Sequence, residues 1–338
     1  MNWEVKEGDC REVMATIPDS SVDLILTDPP YFKVKGEAWD RQWDKPDQFI
    51  EWLREVAEQW FRVLKPNGSL YCFASPRMAA RVEVMISERF NVLNSITWAK
   101  PCPFSEINKG ASNSGRISKD SLRSYYPNTE RIIFAEHYGA DNIAKGEAGY
   151  AAKCDELRGF IFEPLRAYLE AERNRAGYAT TGAVDAEWQK MRGTKGCMAG
   201  HWFGRSQWEL PTRANYEWLR RLFNGQGGEY LRREYEDLRR PFSVSADVPY
   251  TDVWTFPTVQ HYLGKHPCEK PQQMLRHIIE ASSKPGATVL DSFAGTGSTG
   301  MACVDTGRNF IGIELDPEYA EIARARIEHE TTKAELYA

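Results

Sequence analysis

Val22-Asp23-Leu24-Ile25-Leu26-Thr27-Asp28-Pro29-Pro30-Tyr31 decides how this chain is read. A short apolar run followed by an acid and two prolines describes a buried strand that stops abruptly. Open α/β sheets bind ligands beyond the carboxyl ends of their strands, and that is where the strand delivers Asp28. The prolines fix the backbone and carry carbonyls with no competing N–H, while the Tyr31 ring can stack on a planar substrate. Taken by itself, the run also fits a plain tight turn after a strand.

Outward from this strand, short apolar strands alternate with amphipathic helices, the pattern of a sheet covered on both faces. Pro46 to Leu64 is expected to be a long helix, opened by Pro46-Asp47 and stopped by Lys65-Pro66-Asn67-Gly68. Strands are expected at Ser69–Phe73, Val92–Trp98 and Arg131–Ala135, a helix at Met78–Phe90, and a long polar loop over 100–128. From about Gly139 to His261 the apolar spacing turns helical, and tryptophans and arginines cluster. At Thr288-Val289-Leu290-Asp291 the alternation resumes, with a glycine turn, a helix, the strand Phe310–Glu314 and a helix from Pro317 to about Glu330. The economical architecture is one doubly wound α/β domain built from segments 1–138 and 262–338. A mainly helical insertion, 139–261, interrupts it.

Composition narrows the class. The 338 residues are 42% apolar and 27% charged, and no apolar run approaches the roughly 18 residues of a membrane span. Met1–Gly8 lacks the basic region and apolar core of a secretory signal, so a cytoplasmic location is expected. The seven cysteines include no C-x-x-C, so neither a disulfide framework nor a metal site is expected. The formal charge of −5 argues against coating nucleic acid by bulk charge. Locally the balance reverses: residues 100–131 hold six basic residues against three acids, and 205–240 hold eight arginines against six acids. These segments fit either a face that grips a polyanion or a solvated helix surface with i,i+4 pairs.

A second signal is Asp291-Ser292-Phe293-Ala294-Gly295-Thr296-Gly297-Ser298-Thr299-Gly300, again after a strand and opening a helix. Its glycines permit a tight turn and close approach of a ligand. Glu314, about 20 residues on, lies where an acid binds ribose hydroxyls, so an adenosine-containing cofactor is indicated.

In this order, these motifs resemble the β class of DNA amino-methyltransferases, with the DPPY segment early and the F-x-G-x-G segment late. Gly8-Asp9-Cys10 and Lys265-His266-Pro267-Cys268-Glu269-Lys270-Pro271 complete the match, which covers roughly residues 5–136 and 262–328. The insertion, with Gly200-His201-Trp202-Phe203-Gly204-Arg205-Ser206-Gln207-Trp208, resembles that of phage-borne adenine methyltransferases, several of them orphans without a partner nuclease. The resemblance implies a mostly parallel, seven-stranded, Rossmann-like sheet in permuted order. It implies methyl transfer from S-adenosyl-L-methionine to the N6 amine of an adenine flipped out of double-stranded DNA, in a site-specific enzyme of restriction-modification or orphan type. Cytosine-N4 methylation and sequence-nonspecific adenine methylation are the alternatives. The cytosine branch more often carries Ser where this chain has Asp28.

The resemblance makes Asp28, Pro29, Pro30 and Tyr31 catalytic. It places Asp9 near the cofactor adenine, Asp291 near its methionine end, Glu314 on the ribose, and Lys270-Pro271 beside its carboxylate. Phe293, Ala294, Gly295, Thr296, Gly297, Ser298, Thr299 and Leu315 complete the expected cofactor site. Lys109, Arg116, Lys119, Arg123, His201, Arg205, Ser206 and Gln207 are expected on DNA. Leu165–Arg175, Ala183–Met191 and Cys197–Trp208 read as helices, the last two in helix-turn-helix order, although Gly200 and Gly204 weaken the last. A helical packing domain without base contacts remains the alternative. Trp188, Trp202, Trp208 and Trp218 read as core, and Cys102 and Cys268 as structural, since amine methylation needs no thiol. A homodimer is expected by resemblance.

Overall fold

The computed structural model describes residues 1–34, 40–100, 125, 128–137, 162–205, 208–225, 227–238, 242, 251–259 and 269–337. The chain forms two compact units, Met1–His137 with Pro241–Ala338, and Tyr138–Arg240.

The first unit carries one sheet. Its strands are β1 (Trp3–Glu7), β2 (Val22–Thr27), β3 (Leu64–Ala74), β4 (Asn91–Ala99), β5 (Thr129–Glu136), β6 (Val253–Trp254), β7 (Thr288–Asp291) and β8 (Asn309–Glu314). They lie in the order β1-β8-β7-β2-β3-β5-β4-β6. Only β5 is reversed, running antiparallel to β3 and β4. The described residues thus form a mostly parallel sheet of eight strands, one more than expected. β1 alternates charged and apolar residues and is recruited by β8, from Trp3↔Phe310 to Glu7↔Glu314. β6 pairs with β4 through Thr97↔Val253 and Trp98↔Trp254, so this stretch belongs with the sheet and not with the helical part expected to run to 261.

The helices of this unit are α1 (Cys10–Met14), α2 (Pro46–Val63) and α3 (Ala79–Ser87). Beyond the five helices described in the second unit come α9 (Gln272–Ser282), α10 (Ser298–Thr306) and α11 (Pro317–Tyr337). Strand alternation on β2 sorts them onto two faces. Ile25 packs with Leu53, Val56 and Trp60 of α2, while Leu24 and Leu26 pack with Met274, Ile278 and Ile327 from α9 and α11. Lys65–Gly68 does not separate helix from strand as expected. These residues bulge within β3, between the pairs Val22↔Leu64 and Leu24↔Ser69. Gly68 lets the bulge lie against β2, where an added Cβ would sit 2.9 Å from the Asp23 carbonyl oxygen.

The second unit holds α4 (Phe162–Arg175), α5 (Thr181–Arg192), α6 (Ala199–Phe203), α7 (Arg213–Asn224) and α8 (Tyr235–Leu238). Its core is aromatic, as expected. Trp188 and Trp202 are buried, Trp208 and Trp218 pack against them, and Trp188 meets Trp202 and Trp218 edge-on at 5.1 Å. The helix expected over Cys197–Trp208 is only the five residues of α6. Gly204 turns extended at its end (φ −79°, ψ 155°), and buried Asp185 starts it by accepting from the Met198 and Ala199 N–H groups at 2.8 and 2.9 Å. So short a helix does not make the second arm of a helix-turn-helix.

At the start of α10, Gly297 has φ +82°, and a Cβ there would meet the Ala323 Cα at 3.0 Å and its carbonyl oxygen at 3.2 Å. Backbone on one side and a left-handed φ on the other leave no room to relax. Gly297→Ala should lower unfolding stability in urea by about 1–3 kcal/mol; unchanged stability would contradict this packing.

Candidate active site

The carboxyl ends of β2, β7 and β8, with the residues leading into α1 and α9, enclose a cavity of about 610 Å³. That volume lies within the ~300–1,000 Å³ of small-molecule sites. Asp28, Pro29, Pro30, Tyr31 and Lys270 line one part of it, and Asp9, Asp291, Phe293, Gly295 and Glu314 another. Two motifs from opposite ends of the chain therefore share one chamber.

Asp28 is the buried acid of that chamber. Its Oδ2 is ion-paired with Lys270 Nζ, whereas its Oδ1 is buried with no hydrogen-bond donor among the described residues. Burial pushes the carboxyl up against the pull of Lys270. Tyr31 follows it with a buried ring, its hydroxyl donating to Glu130 Oε2 at 2.8 Å and the Lys270 ammonium 5.2 Å from its ring centre. Burial, with Asp28 and Glu130 beside it, keeps the phenol neutral. Fully buried Asp40 holds this turn, accepting from the Tyr31 and Val34 N–H groups at 2.6 Å each. Between them Phe32 and Lys33 both adopt φ +58°. Such a backbone costs about 1 kcal/mol or more per residue and persists where its surroundings enforce it.

The glycine turn works differently from a phosphate cradle. The Gly295 N–H donates to Glu314 Oε2 at 2.8 Å, the Ala294 N–H to the Ile313 carbonyl and the Gly297 N–H to the Ala294 carbonyl, each at 2.9 Å. Glu314 Oε1 also accepts from the Asp316 N–H, and burial raises its carboxyl. Each of its oxygens keeps a second lone pair for a ligand hydroxyl. Asp291, at the cavity floor, accepts from Thr27 Oγ1 at 3.0 Å, Thr299 Oγ1 at 2.7 Å and the Phe293 N–H at 3.1 Å. Burial pushes it up to about 6. Its place is to shape the turn.

Most of the expected residues meet here. Ala294, Thr296, Ser298, Thr299 and Leu315 also line the cavity. Pro271 instead caps α9, and Gly297 packs on α11. Asp9 lines the cavity as the N-cap of α1, its carboxyl held low by Arg11, which donates to it from N and Nη2 at 2.8 Å. Lys270, expected beside a ligand carboxylate, lies between Asp28 and Glu130, whose Oε2 is 3.4 Å away. His201 and Arg205 sit in the helical unit, Arg205 exposed and 3.2 Å from Glu163. Lys109, Arg116, Lys119, Arg123, Ser206, Gln207, Cys102 and Cys268 lie outside the described residues. The sequence reading missed Glu130, Asp40 and Trp52, which lines the cavity and packs on Phe293 at 5.7 Å.

Comparison with known proteins places this chamber in a family. Over 329 residues the chain is 26% identical to the DNA adenine methyltransferase YhdJ of Escherichia coli strain K12, covering 95% of this chain and 81% of that one. Two solved structures share its fold. TTHA0409 from Thermus thermophilus, solved with S-adenosyl-L-methionine, covers 97% of this chain and 96% of its own, with 19% identity and a TM-score of 0.50. The cytosine-N4-specific PvuII DNA methyltransferase covers 99% and 93%, with 13% identity and a TM-score of 0.54. The family model described as DNA methylase (N6_N4_Mtase) matches residues 22–325. Asp28, Glu130, Lys270 and Glu314 all fall inside that span, and the chain belongs to the DNA methylase family.

Proposed function

We propose that this protein transfers a methyl group from S-adenosyl-L-methionine to the N6 amine of adenine in double-stranded DNA. The observation that carries the reading is Asp28 Oδ1, a buried acceptor without a donor, in the same chamber as the Glu314 carboxylate. An exocyclic amine is a poor nucleophile because its lone pair is delocalised into the ring. An acceptor for one N–H, with the rigid Pro29 carbonyl for the other, would free that lone pair by orientation and electrostatics, without a covalent enzyme intermediate. Tyr31 would add stacking worth about 1–3 kcal/mol, comparable to the few kcal/mol needed to flip a base out of its duplex.

The cofactor supplies an electrophilic methyl group on sulfur. Glu314, with a lone pair left on each oxygen, suits ribose hydroxyls, and Phe293 and Trp52 form an aromatic wall. A dinucleotide fits less well, because the Ala294, Gly295 and Gly297 N–H groups are already spent. Asp28, together with the resemblance to YhdJ, favours adenine over cytosine.

The helical unit is assigned to DNA recognition. Arg213, Arg221, Arg232 and Arg233 are exposed on it, suited to phosphates, and Arg205 follows α6. Site-specific methylation and a homodimer belong to the same proposal. Single-molecule sequencing of methylated DNA tests the first and light scattering the second; methylation in every context, or a monomer, would remove each.

Tritiated methyl transfer to unmethylated duplex DNA, followed by digestion to nucleosides, tests the reaction. N6-methyl-2′-deoxyadenosine is the expected product, and N4-methyl-2′-deoxycytidine would reassign the substrate. Asp28→Ala should leave cofactor affinity intact and lower turnover by about 10²–10³; a variant keeping more than a tenth of the rate would contradict the role of Asp28.

Glu314→Ala should weaken S-adenosyl-L-methionine binding in calorimetry by at least roughly 1.5 kcal/mol, the scale of a hydrogen bond to a charged group. Unchanged affinity would mean that the cofactor lies elsewhere.

A further inference from the structure

Glu130 lies at the start of β5, on a strand between β3 and β4. It does not line the cavity, yet it meets the charged and polar groups that surround the Asp28 carboxylate. Its Oε2 accepts from the Tyr31 hydroxyl at 2.8 Å and stands 3.4 Å from Lys270 Nζ. Its Oε1 is paired with Lys100, at the end of β4. Lys100 is held in turn, since its N–H donates to the Asn128 carbonyl at 3.0 Å and its carbonyl accepts from the Asn128 side chain at 2.6 Å. Two carboxylates and two ammonium groups thus form a continuous chain, Lys100–Glu130–Lys270–Asp28.

The chain has an open end. Lys270 occupies Asp28 Oδ2, and Asp28 Oδ1 has no donor among the described residues. A lysine without Glu130 behind it could swing between the two Asp28 oxygens, and a Tyr31 without Glu130 would lose the acceptor that fixes its hydroxyl. We infer that Glu130 is a positioning residue for methyl transfer, holding Lys270 on one oxygen of Asp28 and Tyr31 in place so that the other oxygen faces the target amine. This rests on the reading of Asp28 given above. Glu130 stands behind the cavity wall, so it acts only through these partners.

The charge of Glu130 also has a signature in pH. The groups facing Asp28 are Lys270 ahead of α9, Tyr31 on its own turn, Glu130 on β5, Cys72 on β3 and Asp291 on β7. Burial raises the Asp28 carboxyl, Lys270 lowers it, the like charge of Glu130 raises it and the neighbouring Tyr31 hydroxyl lowers it. Glu130 stays ionised: burial would raise it, but Lys270 and Lys100 draw it down to about 2. Asp28 must be ionised to accept from the amine, so the rate falls on the acid side as Asp28 protonates. Removing the Glu130 charge removes a like-charge repulsion and moves that acid limb to lower pH.

The test measures turnover against pH for wild type, Glu130→Gln and Glu130→Asp, with cofactor affinity by calorimetry. Glu130→Gln is expected to lower the plateau about tenfold to a hundredfold and to move the acid limb down by about one unit, with cofactor affinity unchanged. Glu130→Asp keeps the charge but not the reach, so it should lower the plateau while leaving the limb where it is. A merely structural role would change stability and leave the limb of both variants unmoved. If Glu130→Gln does not fold, Tyr31→Phe removes the hydroxyl that Glu130 holds and that helps to keep the Asp28 carboxyl low, so it should lower the plateau and move the limb to higher pH, opposite to Glu130→Gln. Wild-type plateau and limb in Glu130→Gln, or a wild-type rate in Tyr31→Phe, would overturn the inference while leaving methyl transfer itself intact. A wild type that methylates no DNA would instead remove the reading on which it rests.

Discussion

Everything in the sheet unit depends on one seam, where β2 meets β7. Only two register pairs, Leu24↔Val289 and Ile25↔Leu290, join strands whose residues lie far apart in the chain, 264 positions in the case of Thr27 and Asp291. Side chains extend that short ladder past the strand ends. The Thr27 hydroxyl donates to Asp291 and shares a 3.0 Å hydrogen bond with the Ser292 hydroxyl, which also accepts from the Trp60 indole at 2.9 Å. Thr299 at the start of α10 closes the network on the other Asp291 oxygen. A buried carboxyl left without donors would be costly, and here its donors come from β2, from the glycine turn and from α10. The network therefore sets Asp28, one residue beyond Thr27, at a fixed place against the turn that leads to Glu314.

On that frame the chamber separates two electrostatic tasks. Around Glu314 the donors are backbone N–H groups, which orient a carboxylate without neutralising it. Around Asp28 the donor is a charged side chain, Lys270, and the balance of Lys270 against Glu130 sets how readily the acid ionises. The Asp40 carboxylate enforces the left-handed backbone at Phe32 and Lys33, so Tyr31 is held from its backbone side as well as through its hydroxyl.

The parts of this plan are legible in the sequence where local pattern carries them. β2, β7 and β8 read as strands because each is a short apolar run closed by an acid, and the glycine turn stands out because its conformation excludes most other residues. β1 is hidden because its charged residues alternate with apolar ones at a sheet edge, and β6 because two residues hold no period. The true ends of α6 follow from Gly204 and from a cap supplied by Asp185, 13 residues before Met198, which no local rule anticipates. The Asp28–Lys270–Glu130 association is longer in range still. Along the chain Lys270 reads as a ligand for an anion, because nothing there announces that two acids from β2 and β5 converge on it. Asp9 likewise points outward to the cofactor in the sequence, while in the fold the arginine two residues on holds its carboxylate.

Methyl transfer as proposed rests on one carboxylate oxygen, Asp28 Oδ1, accepting from the target amine. A crystal structure of the protein with S-adenosylhomocysteine and a duplex carrying an extrahelical adenine tests it most directly. Asp28 Oδ1 is expected within about 3 Å of the adenine N6, with Lys270 still on Oδ2 and Glu314 on the cofactor ribose. An adenine whose N6 is turned away from Asp28, or a Lys270 that has moved onto Oδ1, would contradict it.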